Sequence, residues 1–372
     1  MTSSRRLAID VLVEVAGGSR ANAALAAALG ASDLDERDRA FTTELVFGTL
    51  RMQRACDWLA EPFVRRPLEV EVRAALRIGV HQLVHLRTPA HAAVSATVDA
   101  APRRARTLVN AVLRRVAERS SDPAGILWPD DATRLSYPDW VLDEVTQTHG
   151  RDEGLAALES MNRPQEAVRR PDGYRWGRAS KWVVEEVACG GLVVDLCAAP
   201  GGKATALAGQ VMAIELDVGR ARLLAETILR TGHGGRVHPV VADGALPPLP
   251  HGSADAVLID APCSGLGALG RRPDARWRVR PADVARLAGL QRRLVEGALG
   301  LLPPDGRLVY SACTMTTAET LAIDAWLAER HPRLVPEPLV GAHWRPWGRG
   351  GLVLPHDHGT DGMAVFRYRL AA

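Results

Sequence analysis

From Leu192 onward, short apolar runs that end in a turn, an acid or a cysteine alternate with longer segments of helical period. The runs are Leu192 to Leu196, Val211 to Leu216, Val237 to Ala242, Ala254 to Ile259 and Arg307 to Ser311. Lys203 to Gln210, Val218 to Thr231 and Pro281 to Leu302 read as the helices between them. Near-continuous apolar runs suit strands buried on both faces, and helical crossovers make neighbouring strands parallel. A doubly wound α/β sheet is therefore expected, with its ligands at the carboxyl ends of the strands.

The first part of the chain carries no such alternation. Apolar residues recur at helical spacing from Arg5 to about Glu118, as in the stripe Leu7, Val11, Leu12 and Val15 that Gly17-Gly18 ends. Further helices are expected over Ala21 to Leu29, Asp33 to Leu50, Met52 to Pro62, Leu68 to Val84, His91 to Ala101 and Thr107 to Arg119. Residues 1–121 thus read as an all-α domain and 181–372 as a Rossmann-like α/β domain. The connection, 122–180, is punctuated by Pro123, Pro129, Pro138, Pro164 and Pro171, with short helices over Trp140 to Thr148 and Asp152 to Met161.

The first strand runs into Asp195-Leu-Cys-Ala-Ala-Pro-Gly-Gly-Lys203. Glycines at a strand-to-helix turn let a ligand approach the backbone, which makes Cys197, Ala198, Ala199, Pro200, Gly201, Gly202 and Lys203 candidates for cofactor binding. A Walker A loop would need Gly at 197 and Ser or Thr at 204, and the chain has Cys197 and Ala204. A dinucleotide fingerprint occurs at Gly265-Leu-Gly-Ala-Leu-Gly270, but it follows the fourth strand and runs into Arg271-Arg-Pro-Asp. The remaining class fits. Glu215 ends the second strand, where an acid accepts ribose hydroxyls, and Asp243-Gly244 ends the third, where an adenine amino group can be received. Adenosine without phosphate and an amino-acid tail at a glycine turn describe S-adenosylmethionine.

The fourth strand ends in Asp260-Ala-Pro-Cys-Ser-Gly265 and the fifth in Cys313. A carboxylate, Asp260, and two thiols, Cys263 and Cys313, at neighbouring strand ends suit covalent chemistry on an electrophilic carbon. A lone strand-end cysteine is more often a buried packing residue. Here Pro262 before Cys263, and Ser264-Gly265 after it, stop the strand and turn the thiol outward. The five cysteines are odd in number and contain no C-x-x-C pair, which argues against a disulfide framework and a zinc site and favours a reducing cytoplasm. No metal is expected. No apolar run approaches the length of a membrane span.

Charge is informative only locally, because the net value is +3. Arg103, Arg104, Arg106, Arg114, Arg115 and Arg119 face only Glu118 within Arg103 to Arg119. Between Gly265 and Arg293 eight arginines face Asp274 and Asp283, with Trp277 among them. Such runs are often solvated faces, but clustered arginine also suits a phosphate backbone, and an interleaved aromatic suits splayed bases. Arg103, Arg104, Arg114, Arg115, Arg271, Arg272, Arg276 and Trp277 are the candidate RNA contacts.

Two resemblances sharpen this reading. Arg39-Ala-Phe-Thr-Thr-Glu-Leu-Val-Phe-Gly-Thr-Leu-Arg51, then Leu108-Val-Asn-Ala-Val-Leu-Arg-Arg115, resembles the NusB-like helical RNA-binding domain. The order of DLCAAPGGK, Glu215, Asp243-Gly244, DAPCSGLG with Arg-Arg-Pro-Asp-Ala-Arg-Trp277, and YSACT resembles the Sun family of RNA cytosine-5 methyltransferases. The resemblance implies that Cys313 adds to carbon 6 of cytosine, that Asp260 supports charge at nitrogen 3, with Asp260 also lining the cofactor site, and that Cys263 assists product release. Lys203 is a plausible contributor, since an ammonium can lower a thiol's pKa.

The implied substrate is small-subunit (16S) ribosomal RNA, and the protein is expected to act as a cytoplasmic monomer without a membrane. The chain departs from the family between Met161 and Lys181, where only Gln165 to Arg178 stand for a small RNA-binding subdomain, and Gly177-Arg178 replaces a Gln-Asp pair. Ala318 and Thr320 flank Glu319 where Glu and Asn are usual, and Met363-Ala-Val-Phe departs from the usual aromatic pair. Those departures keep open the same chemistry on another RNA such as tRNA, and a non-catalytic RNA-binding ribosome-assembly factor.

Overall fold

Helices account for the chain up to Arg119. They are α1 (Ser4–Ala16), α2 (Ala21–Gly30), α3 (Glu36–Arg51), α4 (Gln53–Ala60), α5 (Val70–Val84), α6 (Ala90–Ala100) and α7 (Arg106–Arg119). Local chemistry sets their ends. Ser3 caps α1 by accepting from the Arg6 amide, and Asp35 caps α3 by accepting from the Asp38 amide. Their apolar stripes meet in one core that includes Ile9, Leu12, Leu45, Leu76, Ile78, Val109 and Leu113. At Gly79 an added Cβ would lie 2.4 Å from the Leu113 side chain, so α5 and α7 approach as closely as they do because that position is bare.

This computed structural model describes residues 3–120, 122 and 125–372. Pro123 and the expected domain boundary at Ser121 lie outside them. The chain divides into two units, one of residues 1–142 with 272–278, the other of residues 143–271 with 279–372. The first unit also holds α8 (Asp131–Leu135). The expected connection is shared between the two. It contains the anticipated α9 (Asp139–His149) and α10 (Arg151–Ser160) and an unanticipated hairpin of β1 (Val168–Arg169) and β2 (Arg175–Trp176), and it runs into an amphipathic helix, α11 (Arg178–Val187), that was not anticipated either.

The second unit is built on a sheet whose parallel part contains β3 (Leu192–Asp195), β4 (Gln210–Glu215), β5 (Val237–Val241), β6 (Ala256–Asp260) and β7 (Arg307–Ala312). Helices α12 (Val218–Arg230), α13 (Pro281–Leu301) and α14 (Leu321–Arg330) intervene. Then come β8 (Leu334–Pro336), β9 (Arg345–Trp347), β10 (Gly350–Val353), the short α15 (Pro355–His358) and β11 (Met363–Leu370). The order across the sheet is β5-β4-β3-β6-β7-β11-β10-β9, with β8 beside β11. The chain steps outward from β3 to β5 and returns to the other side of β3 with β6, so a switch point falls between β3 and β6. Antiparallel β11 lies against β7, pairing Ala364 with Ala312.

Both alternating sets of strand residues are buried. Val193, Val211, Ala213, Leu258 and Val309 pack with Ala179, Val183 and Val187 of α11 and Leu224 and Ile228 of α12. Val194, Ile214, Val257, Ile259 and Leu308, which alternate with them, are equally buried, and α13 packs on β6.

One expected element is corrected. Lys203 to Gln210 is not an α-helix but a series of turns that leads straight into β4. Gly209 adopts φ +72°, and a Cβ there would lie 2.2 Å from the Gly191 carbonyl oxygen, so the chain must bend where a helix would continue. The few residues available also leave little propagation to offset helix nucleation.

Candidate active site

Asp260 ends β6 and pairs in register with Ser311 on β7. That register places two strand ends side by side. The Ser311 hydroxyl donates to Asp260 Oδ1 at 3.2 Å, and Lys203 Nζ donates to Asp260 Oδ2 at 2.7 Å. Lys203 therefore engages the carboxylate, where sequence reasoning offered it as a partner for a thiol. Beyond the strand ends, Cys263 Sγ and Cys313 Sγ lie 3.3 Å apart, and neither is in a disulfide. The Cys313 contact, with burial next in weight, pushes the Cys263 thiol well above the ordinary cysteine range.

The turns that carry the two thiols converge on a residue that the candidate set omitted. Glu319 is fully buried, and its Oε1 accepts from the Ser264 amide at 2.8 Å and from Gln291 Nε2 at 3.2 Å. Its Oε2 accepts from the hydroxyls of Ser264 at 2.5 Å, Thr314 at 2.9 Å and Thr316 at 3.0 Å. Only its retention in the motif after Cys313 marked it in the sequence.

The glycine turn follows β3. Ala198 donates its amide to the Ile214 carbonyl at 2.9 Å and Gly201 takes φ +105°. Arg220 Nη2 donates to the Ala199 carbonyl at 2.8 Å, and Arg170 Nη1 to the Gly202 carbonyl at 2.8 Å. A Cβ at Gly202 would come within 2.7 Å of the Tyr174 ring, so the unanticipated hairpin closes over this turn. Burial, with the nearby Asp195 carboxylate, raises the Cys197 thiol.

Two buried acids beside the turn each keep one carboxylate oxygen without a hydrogen-bond donor among the described residues. Asp195 Oδ1 accepts from the Cys197 amide at 3.3 Å, while Oδ2 has no hydrogen-bond partner. Burial, then the Asp260 carboxylate, pushes its pKa up to about 7. Glu215 Oε1 accepts from the Asp217 amide at 3.1 Å; Oε2 has no hydrogen bond, although the Arg220 guanidinium lies 3.4 Å away. Buried carboxylate oxygens with hydrogen-bonding capacity unused, beside a glycine turn, fit a ligand that brings an ammonium and hydroxyl groups. Asp243, the third candidate acid, is exposed and accepts from the Ala245 amide at 2.9 Å. No cluster of potential metal ligands is found among the described residues.

The candidate RNA contacts separate. Arg103, Arg104, Arg114, Arg115 and Arg272 are exposed, Arg104 in an ion pair with Glu69. Arg271 forms a bidentate pair with the buried Asp361. Arg276 is a correction: it is fully buried in the helical unit, 3.9 Å over the Tyr137 ring, donating to the Arg51 carbonyl at 2.9 Å. A guanidinium so enclosed cannot meet a phosphate. Trp277 is half-buried and gives its indole N–H to the Leu50 carbonyl at 3.1 Å, a contact that holds its polar edge inside the unit. What looked like one basic, aromatic run is a plug flanked by exposed arginines.

Residues 186–369 match a family model described as 16S rRNA methyltransferase RsmB/F, and residues 2–118 match the NusB family. The ribosomal RNA small subunit methyltransferase B of Thermus thermophilus is 37% identical over 403 residues, covering 98% of this chain and 97% of that one. The protein of the same description from Klebsiella pneumoniae is 30% identical, covering 89% of this chain and 90% of its own. In fold, the crystal structure of PH0851 superposes with a TM-score of 0.76 at 22% identity, covering 98% of both chains.

Proposed function

The chain belongs to the 16S rRNA methyltransferase RsmB/F family of S-adenosylmethionine-dependent RNA cytosine-5 methyltransferases, and on that premise we propose that it methylates a cytosine of small-subunit ribosomal RNA through a covalent Cys313 adduct. Membership retires the non-catalytic alternative. The observation that carries the proposal is the meeting of two thiols, 3.3 Å apart, just beyond the strand ends that present Asp260.

S-adenosylmethionine supplies an electrophilic methyl group on a sulfonium. Carbon 5 of an aromatic cytosine is a weak nucleophile toward it. Addition of the Cys313 thiolate to carbon 6 breaks the aromaticity, and a proton delivered to nitrogen 3 by the Asp260–Lys203 pair leaves an enamine whose carbon 5 takes the methyl. The carbon-5 proton passes to water, Cys313 sulfur departs with its bonding electrons and the nitrogen-3 proton returns to the Asp260–Lys203 pair, which restores the neutral ring. Cys263, held protonated by its contact with Cys313 and by burial, stands ready to protonate the departing sulfur. Asp195 and Glu215, with the turn from Cys197 to Lys203, would hold the cofactor, and Asp243 would receive its adenine. Arg103, Arg104, Arg114, Arg115 and Arg272 would meet RNA phosphates.

Methyl transfer to unmodified small-subunit ribosomal RNA tests the reading, with bisulfite sequencing to locate the base. C313A is expected to be inactive, and C263A to accumulate a covalent protein–RNA adduct. The reverse pattern would exchange the two roles. The compact stretch from Gln165 to Arg178 supports a second reading, in which the same chemistry serves a tRNA; transfer to tRNA and not to ribosomal RNA would select it.

A further inference from the structure

We propose that Glu319 is a positioning residue whose buried carboxylate locks the turn after Cys263 to the turn after Cys313, so that both thiols converge on one cytosine. The proposal rests on the two-thiol reading above. Its partners lie immediately after each thiol: Ser264 contributes its amide and its hydroxyl, and Thr314 its hydroxyl. Ser264 Oγ and Thr314 Oγ1 also lie 2.9 Å from each other, so the two turns are joined directly as well as through the acid. From the third side Gln291 of α13 donates to both the Pro262 carbonyl at 3.0 Å and Glu319 Oε1. Tyr310 of β7 donates its hydroxyl to the Glu319 carbonyl at 2.8 Å, which fixes the backbone of the acid to the strand that leads to Cys313.

The composition of this knot argues for positioning over simple packing. Among the described residues no lysine or arginine pairs with Glu319, so a fully buried carboxylate is held by neutral donors alone. Such a group is costly to bury, and apolar residues would join two turns with less penalty. What a carboxylate adds is geometry. Two oxygens that each accept from more than one chain segment cannot let either turn slide without losing bonds on both. None of the donors comes from the glycine turn between Cys197 and Lys203, so the effect should be confined to the thiols and leave cofactor binding alone.

The full-length protein tests this with E319A, E319Q and the double variant S264A/T314V. The first readout does not depend on methyl transfer: oxidation by diamide, in which the two thiols give up two electrons and two protons, the diamide becomes the hydrazine, and a Cys263–Cys313 disulfide forms. E319A is expected to slow this trapping about tenfold or more and to lower kcat about a hundredfold, the order of loss that follows a displacement near 1 Å at a reacting group. The Kd for S-adenosylmethionine should stay within about twofold of wild type, since no contact of the glycine turn changes. E319Q should recover both rates in large part, because the hydroxyls of Ser264, Thr314 and Thr316 can turn and accept from the new amide.

Trapping and turnover at wild-type rates in E319A would overturn the proposal, as would loss of cofactor binding in parallel with turnover. If E319A has no cooperative thermal transition, S264A/T314V, which keeps the acid and removes one hydroxyl from each turn, decides: slowed trapping supports the lock and unchanged trapping overturns it. Failure of the wild-type protein to methylate any RNA would overturn the catalytic reading alone, and the trapping comparison would still judge Glu319.

Discussion

Asp195 shows how one side chain can make a binding site sensitive to pH. Its carboxyl titrates near pH 7 because burial and the Asp260 charge disfavour ionisation. Between the ordinary carboxyl range and that value the folded chain holds a proton that the unfolded chain has lost. The contribution of this group to stability therefore falls as pH rises through that window. A cationic ligand prefers the ionised form, so affinity for S-adenosylmethionine should rise as pH increases through about 7 and then level off. In D195N the pH dependence should flatten, and calorimetric titration at pH 6, 7 and 8 checks it. An unchanged slope would remove Asp195 from the cofactor site. Asp260, Cys263 and Cys313 were legible in the sequence because each closes or follows an apolar run, and a strand points its end at the ligand. Glu319 was hidden for the opposite reason: its partners Ser264, Gln291 and Thr314 are far apart along the chain, and only the packed turns bring them together.

At the scale of elements, the parallel strands were readable since burial on both faces leaves nearly unbroken apolar runs. The hairpin of β1 and β2 was not, because strands this short carry no periodicity. Its position over the glycine turn depends on Arg170, Tyr174 and Gly202, a juxtaposition that only tertiary structure creates. A comparable junction joins the loop after β6 to the end of β7 and the approach to β11. Gly267 gives its amide to the Cys313 carbonyl at 3.0 Å and accepts from the Gly362 amide at 2.8 Å. A Cβ there would stand 2.1 Å from the Gly362 carbonyl oxygen, a backbone atom that cannot rotate aside. G267A should cost about 1–3 kcal/mol, the range for overpacking a tight site. Thermal unfolding measures that cost, and reduced methyl transfer at a temperature where the variant is folded would show that the strain reaches the thiol turns.

For the whole molecule, the division into a helical part and an α/β part was evident from where the period of the apolar residues changes. The reassignment of residues 272–278 was not evident, since Arg276 and Trp277 have the composition of an RNA-binding run. Burial turns their polar atoms inward. Arg276 satisfies backbone carbonyls of the helical unit, and Asp274 Oδ2 accepts from the Ala21 amide at 3.3 Å. A fragment ending at residue 142 would leave these groups unmet, each at a cost of about 1–3 kcal/mol. It should melt well below the helical unit of the full chain, and a peptide spanning residues 270–280 should raise its melting temperature. No shift on adding the peptide would mean that the plug contributes little. The same feature sets an order of events on the ribosome: although it is encoded first, the helical unit cannot finish its interior until residue 278 has left the exit tunnel. Its final closure then overlaps in time with the growth of the sheet, which itself waits for β11, Met363–Leu370.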